Sequence, residues 1–200
     1  MRKIVYIIVG FVFLLGLFAC EKGAGSADYG FAYIYMPQAT VSGGLNNNYY
    51  VPSGDGVYTY NFKIDSVNNN LLILLGVLRS GDLPNKAYSV SVVAQTDTTK
   101  SILYDGLIEN GMLFPSWMYS LPARVDVPGD KSGASFYMTV PIEELKDNVY
   151  TDKKLVLTVG IDYLENNIEI NTMPLEYELS ATNTSTVVIL DVDAIRAFLP

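Results

Sequence analysis

The 200-residue chain contains no histidine, one cysteine and one tryptophan. Without histidine, neither a Ser-His-Asp triad nor a Cys-His pair can be assembled, and zinc centres built on histidine and cysteine are excluded. A single cysteine allows no disulfide within the chain. Stability must therefore come from an ordinary hydrophobic core, which a chain of this length can bury. Basic residues are outnumbered, 13 against 21 acidic, for a net charge of −8. No run of lysine and arginine occurs. An acidic surface disfavours nucleic acid and anionic lipid headgroups as partners.

What is present begins at the N-terminus. Arg2 and Lys3 precede a 16-residue stretch, 4–19, that carries no charge and ends in Leu17-Phe18-Ala19-Cys20. A positive start, an apolar segment and a small residue before the cut make a secretory signal. The segment falls short of the ~20 residues that span a bilayer. A cysteine at the first mature position is the acceptor for bacterial lipid attachment, so Cys20 is the expected anchor. The competing reading, a buried thiol beside a transmembrane helix, fits poorly with the residues after Cys20. Glu21-Lys22-Gly23-Ala24-Gly25-Ser26-Ala27-Asp28 is small and polar, as a flexible tether is. Stable anchoring needs more than one lipid chain, and a lipoprotein cysteine carries several. Removing 1–19 takes two of the 13 basic residues and none of the 21 acidic ones, so the charge moves from −8 to −10. The expected location is the cell envelope, with the protein lipid-anchored at the outer membrane.

Beyond the tether the pattern is that of strands and turns. Residues 57–65 alternate most cleanly: Tyr58, Tyr60, Phe62 and Ile64 face one way, Thr59, Asn61, Lys63 and Asp65 the other. Such alternation marks a half-buried strand. Segments 29–37, 88–95, 122–128, 135–142, 154–163, 175–179 and 185–192 complete the set. The apolar run 71–78 suits a strand buried on both faces. Residues 143–147 make at most one helical turn, and 96–117 lack a period and form a long connection with room for a short helix. Asp193 is the expected N-cap of a tail over 194–199. Asn68-Asn69-Asn70 and Asn166-Asn167 supply turns. No βαβ rhythm or internal repeat is visible. The domain map is therefore a signal peptide at 1–19, a tether at 20–28, one all-β antiparallel sandwich at 29–192 and a tail at 193–200.

Several segments carry a family likeness. They are Ala32-Tyr33-Ile34-Tyr35-Met36-Pro37-Gln38-Ala39, Tyr88-Ser89-Val90-Ser91-Val92 shortly after Leu83-Pro84, and Tyr119-Ser120-Leu121-Pro122. Val140-Pro141-Ile142 with Leu145, and the closing Thr186-Val187-Val188-Ile189, complete it. In these the chain resembles a Bacteroidetes lipoprotein domain of unknown function. The same immunoglobulin-like sandwich forms the N-terminal domain of surface family-18 endoglycosidases and occurs in lipoproteins encoded near glycan-uptake systems. The likeness spans most of 29–192, and its motifs are strand edges and Leu-Pro turns. It implies an immunoglobulin-like fold and a role accessory to glycan binding or capture. In many relatives a lectin-like or catalytic domain follows the sandwich. This sequence ends at Pro200, which weakens the expectation of direct glycan binding.

Four residues are singled out for ligand contact. Trp117 and Tyr119 could stack on a sugar face, with Asp105 and Glu109 (and Asn110) as hydrogen-bonding partners. Two residues apart in an extended segment, the aromatics would share one face. The competing reading makes Trp117 a plug at the end of the sandwich core. Tyr49-Tyr50 is a second candidate surface, at most half exposed because neighbours in a strand face opposite ways, or else a plain hairpin. Glycosidase chemistry needs two carboxylates ~5–5.5 Å or ~6.5–9.5 Å apart. Glu143, Glu144, Glu165, Glu169, Glu176 and Glu178 offer no spacing that selects a pair, so no catalytic residue is expected. Calcium is the one metal the composition allows, through Asp126 with Asp130 or Asp162 with Glu165 and Asn166, but the spacing does not match an EF-hand loop and solvated turns explain these residues better. No cofactor is expected. The expected partners are the membrane, through lipid, and a glycan or a surface protein complex. A structural or adhesive surface protein is the alternative, and an unrecognised hydrolase a remoter one.

Overall fold

A computed structural model of the chain describes residues 32–40, 47–54, 60–81, 86–163 and 177–200. The expected signal segment, Cys20 and the expected tether lie outside the described residues. So do 29–31, 41–46, Tyr58, Glu165, Asn166, Asn167, Glu169 and Glu176.

The fold is an all-β sandwich. One sheet is built on β4 (Asn70–Arg79), which pairs along its full length with β8 (Gly133–Pro141). On its other edge β4 meets two short strands in turn, β3 (Phe62–Asp65) and β1 (Ala32–Tyr35), with β10 (Tyr177–Leu179) beyond β1. The second sheet runs β2 (Asn48–Val51), β11 (Ser185–Asp191), β9 (Lys154–Asp162), β5 (Tyr88–Ala94) and β7 (Arg124–Val127). A three-residue strand, β6 (Gly111–Leu113), adds to β9 where β5 leaves off. Strands β1, β4 and β8 stand as A, B and E of an immunoglobulin sandwich, and β5, β9 and β11 as C, F and G.

Most pairings are antiparallel, as alternation alone suggests. Three are parallel: β1 with β10, β2 with β11, and β6 with β9. Each joins strands far apart in sequence, where no hairpin dictates direction.

The core lies between the sheets. Leu71, Ile73, Leu75 and Val77 of β4 and Met138 and Val140 of β8 are fully buried. They face Leu155, Leu157 and Val159 of β9 and Val188 and Leu190 of β11, all equally buried. Each such side chain contributes about 1.5–3 kcal/mol on burial. The apolar run at 71–78 is thus buried on one face only. Leu72, Leu74 and Leu78 point outward and are half-buried.

The irregular stretch contains a helix, α1 (Thr96–Tyr104). It covers the outer face of the second sheet. Ile102, Leu103 and Ile108 pack on Val156, Val187 and Ile189. Buried Thr99 fixes it: its hydroxyl accepts from the Thr158 N–H at 2.8 Å and donates to Gln95 O at 3.0 Å. At the C-terminus the helical turn is Val192–Arg196, capped by Asp191, whose carboxylate accepts from the Ala194 N–H at 3.0 Å. Asp193, the expected cap, instead lies inside the first turn and pairs with Arg196 at 2.9 Å.

The chain changes sheets between β1 and β2, and on the edge away from β8 strand β4 has no strand partner at 74–77. Other groups fill the gap. Leu74 N–H donates to Asn61 O at 2.9 Å, Leu74 O accepts from the Tyr49 hydroxyl at 2.9 Å, and Gly76 N–H donates to Gln38 Oε1 at 3.2 Å. Tyr49 and Tyr50 are therefore not a hairpin. They lie on a strand parallel to β11, with Tyr49 turned inward and Tyr50 exposed.

Candidate functional site

The segment from α1 to β7 carries the residues expected to touch a ligand. Helix α1 ends as Asp105 N–H bonds Ser101 O at 3.0 Å and Gly106 takes a left-handed φ of 67°. That glycine is the usual way out of a helix. Asp105 and Glu109 are both exposed in the loop that follows. The loop is pinned by Asn110 O, which accepts from the Lys154 N–H at 3.1 Å. Gly111 then passes so close to α1 that a Cβ there would sit 2.6 Å from Leu103 Cδ2.

After β6, Phe114 enters the core and 115–118 form a turn closed by Met118 N–H on Pro115 O at 2.9 Å. Within this turn Met118 is fully buried, while Trp117 is 64 % exposed. The core plug expected of Trp117 is supplied by Met118 and Phe114. Trp117 stands at the tip of the turn, where the chain reverses and one side chain must point out.

Tyr119 does not join it. Its ring lies edge-on to Phe114 at 5.6 Å and packs on the core, and burial pushes its phenol above the ordinary value. The expectation that residues 117 and 119 share a face fails because the segment is a turn there, not a strand. Asp105 and Glu109 lie before β6 and Trp117 after it, so that strand separates them along the chain. Among the described residues no hydrogen bond, ion pair or ring contact joins the four. Of the two aromatics Trp117 is the exposed one, and Ser116 beside it is exposed as well.

One aromatic cluster has no counterpart among the sequence expectations. Tyr60, Phe62 and Phe198 form a triangle with ring centroids 5.2–5.4 Å apart. Tyr60 and Phe62 show as a same-face pair in the alternation, but nothing in the sequence tied Phe198 of the tail to them. The cluster clips the C-terminal tail to β3. A shallow groove of about 300 Å³ lies elsewhere, over β4 and β8, where Gly76 and Gly133 lack side chains and Leu74 and Leu78 form walls.

Several of the candidate carboxylates have partners. The Asp126 carboxylate accepts from Ser89 and from the Arg124 guanidinium, and these bonds hold it below the usual carboxylate range. Asp130 pairs with Lys131 at 3.6 Å. Glu143 accepts from Asn69 and Lys146 at 3.0 and 3.1 Å, which lowers it as well. Asp162 accepts from the Tyr163 N–H at 2.7 Å. Among the described residues no three His, Cys, Asp or Glu side chains gather to hold a metal ion, and no helix is long and apolar enough to cross a membrane.

No family model matches the chain, and no curated protein matches it. Solved structures resemble it in outline. A multidomain protein including DUF1735 from Bacteroides ovatus aligns over 70 % of this chain and 42 % of its own, at 14 % identity and a TM-score of 0.44. A second Bacteroides ovatus protein, provisionally described as carbohydrate binding, aligns over 79 % and 36 %, at 8 % identity and 0.45. Bacteroides thetaiotamicron EndoBT-3987, solved with Man5GlcNAc product, aligns over 79 % and 30 %, at 12 % identity and 0.46. The chain spans less than half the length of each. At these values the likeness is one of strand arrangement and extends to nothing else.

Proposed function

We propose that this is a lipid-anchored, non-catalytic protein of the cell envelope, accessory to glycan capture, with Trp117 as its contact. Leu17-Phe18-Ala19-Cys20 and the polar tether behind it support the anchor. The observation that carries the glycan reading is the exposure of Trp117, at 64 %. A large ring left in water at a turn tip is free to meet a ligand, and the C–H face of a pyranose suits such a ring. Exposed Ser116 offers a hydroxyl beside it. Loops carried on a rigid sandwich are where binding residues concentrate.

The test is a glycan-array screen of the chain lacking 1–20, run beside Trp117→Ala. Binding by the parent, lost in the variant without loss of fold, supports the reading. Binding that survives Trp117→Ala, or no binding to any glycan, overturns it. A structural or adhesive role is the second reading, and it is favoured by the part of the β8 edge at Ser135 and Tyr137, which has no strand partner among the described residues on the side away from β4.

A further inference from the structure

We propose that the groove on the outer face of the first sheet, floored by Gly76 and edged by Gln38, binds a single pyranose ring of a neutral sugar. Gln38 is only 9 % exposed, and it lines this groove. Its Oε1 accepts from the Gly76 N–H at 3.2 Å. That bond fixes the amide, because only the oxygen can accept from a backbone N–H. Nε2 must then face the other way. It lies 3.9 Å from the point where a Cβ on Gly76 would stand, over the groove floor. Among the described residues nothing accepts from Nε2. Buried polar groups are ordinarily hydrogen-bonded, so this donor is left for a ligand.

The surroundings select the ligand. None of the residues lining the groove is charged, so an anion or a cation finds no counter-charge. The volume, about 300 Å³, is at the small end for a ligand site and holds one ring. Leu74 and Leu78 close the groove along β4, about 13 Å apart by strand rise. Leu78 leans across Gly133, where a Cβ would stand 2.4 Å from its Cδ2. On the flank opposite Gln38 stands exposed Ser135, the β8 neighbour of Gly76. The groove thus has apolar ends, a bare backbone floor and a hydrogen-bonding group on each of two opposite flanks. A pyranose has the matching distribution, C–H faces within a rim of hydroxyls. Laid on Gly76, it gives one rim oxygen to Gln38 Nε2 and turns another toward Ser135. An acyl chain would leave both flanks unmet, and a peptide strand would find the Gly76 N–H already taken.

This site is separate from Trp117, and its chemistry points to a sugar without that ring. A single ring held this way binds at about millimolar strength, too weakly for an array to retain. The array therefore reports on Trp117, and a titration reports on the groove.

The test uses the full chain in a sugar-free detergent, isotopically labelled at the glutamine nitrogens. The chain has two glutamines, Gln38 and Gln95, so two side-chain amide signals appear by NMR. Gln95, packed against Gly160 of the other sheet, is the control. Methyl glucoside and methyl galactoside are titrated separately. At least one should shift the Gln38 signal saturably and leave Gln95 still, in the parent and in Trp117→Ala alike. Gly76→Ala places a methyl on the groove floor, 3.3 Å from Ala134 O, a contact that a small shift relieves. It should weaken binding at least tenfold and keep the circular dichroism. Ser135→Ala, on the exposed flank, should weaken binding several-fold. No saturable shift with either sugar, an equal shift with glycerol, or binding unchanged in Gly76→Ala overturns the proposal. Should that variant lose its fold, unchanged binding in Ser135→Ala does so instead.

Discussion

Asn61 and Ser53 are joined twice, by the Asn61 N–H on Ser53 O at 3.1 Å and by the Ser53 N–H on Asn61 Oδ1 at 2.8 Å. Asn61 also donates through Nδ2 to Tyr50 O at 2.7 Å, and its own carbonyl accepts from the Leu74 N–H at 2.9 Å. One residue thus ties the edge of β2 to the edge of β4, closing the sandwich where the chain changes sheets. Asn61→Ala removes the two side-chain bonds and leaves Tyr50 O and the Ser53 N–H to solvent. The expected loss is about 1–2 kcal/mol, read as a lower urea midpoint with an unchanged slope.

Tyr49 closes the same gap from the other sheet. Burial pushes its phenol up to about 12. The folded state therefore favours the neutral phenol. That contribution is complete below the unfolded value of ~10 and is lost as pH rises through about 12. Tyr49→Phe should lower stability at neutral pH by about 1–3 kcal/mol, because Leu74 O loses its donor. It should also flatten the alkaline fall between pH 10 and 12, measured by denaturation across that range.

Much of this sandwich was legible in the sequence. The alternation at 88–95 and 154–163 corresponds to β5 and β9, and Leu155, Leu157 and Val159 are core residues as their spacing suggests. The sheet change at 37–48 was not legible, because its hydrogen bonds are made by Gln38, Asn61 and Tyr49, residues with no common spacing. The helix α1 was hidden by its composition: Thr96, Thr98 and Thr99 are weak helix formers, and contact with β9 holds the element. At the candidate site the sequence showed the aromatics but not the turn that parts them. Trp117 and Met118 are both apolar, and only the hydrogen bond from Met118 to Pro115 decides which faces inward.

Asp126 contributes to stability on the acid side, as Glu143 does. Ser89 and Arg124 hold its carboxyl below the ordinary range. Its contribution to stability is present above the unfolded value of ~3.9 and disappears as pH falls through the lower folded value. Ser89→Ala should move the Asp126 titration up toward the ordinary value, followed by carboxyl-carbon NMR, and shift acid unfolding to higher pH.

Cys20→Ala should leave the precursor uncut and shift the protein out of the outer-membrane fraction. The measurement is fractionation with intact-mass analysis. A variant that fractionates as the parent does, resisting carbonate extraction, would falsify the lipid anchor.

Trp117 and Met118 make the sharpest contrast in the molecule, adjacent in sequence and opposite in environment. Met118 is fully buried, so Met118→Ala leaves a cavity beside Phe114 and should cost about 2–5 kcal/mol. Trp117 is 64 % exposed, so Trp117→Ala should change stability by no more than about 0.5 kcal/mol. A core plug would reverse this order, since removing a buried tryptophan costs about 3–5 kcal/mol. Denaturant titration of the two variants separates the cases. If Trp117→Ala is the more damaging, the ring belongs to the core and the glycan reading loses its contact. If it is silent in stability, the large ring at the turn tip makes no contribution to the fold and is free to serve as the contact proposed for it.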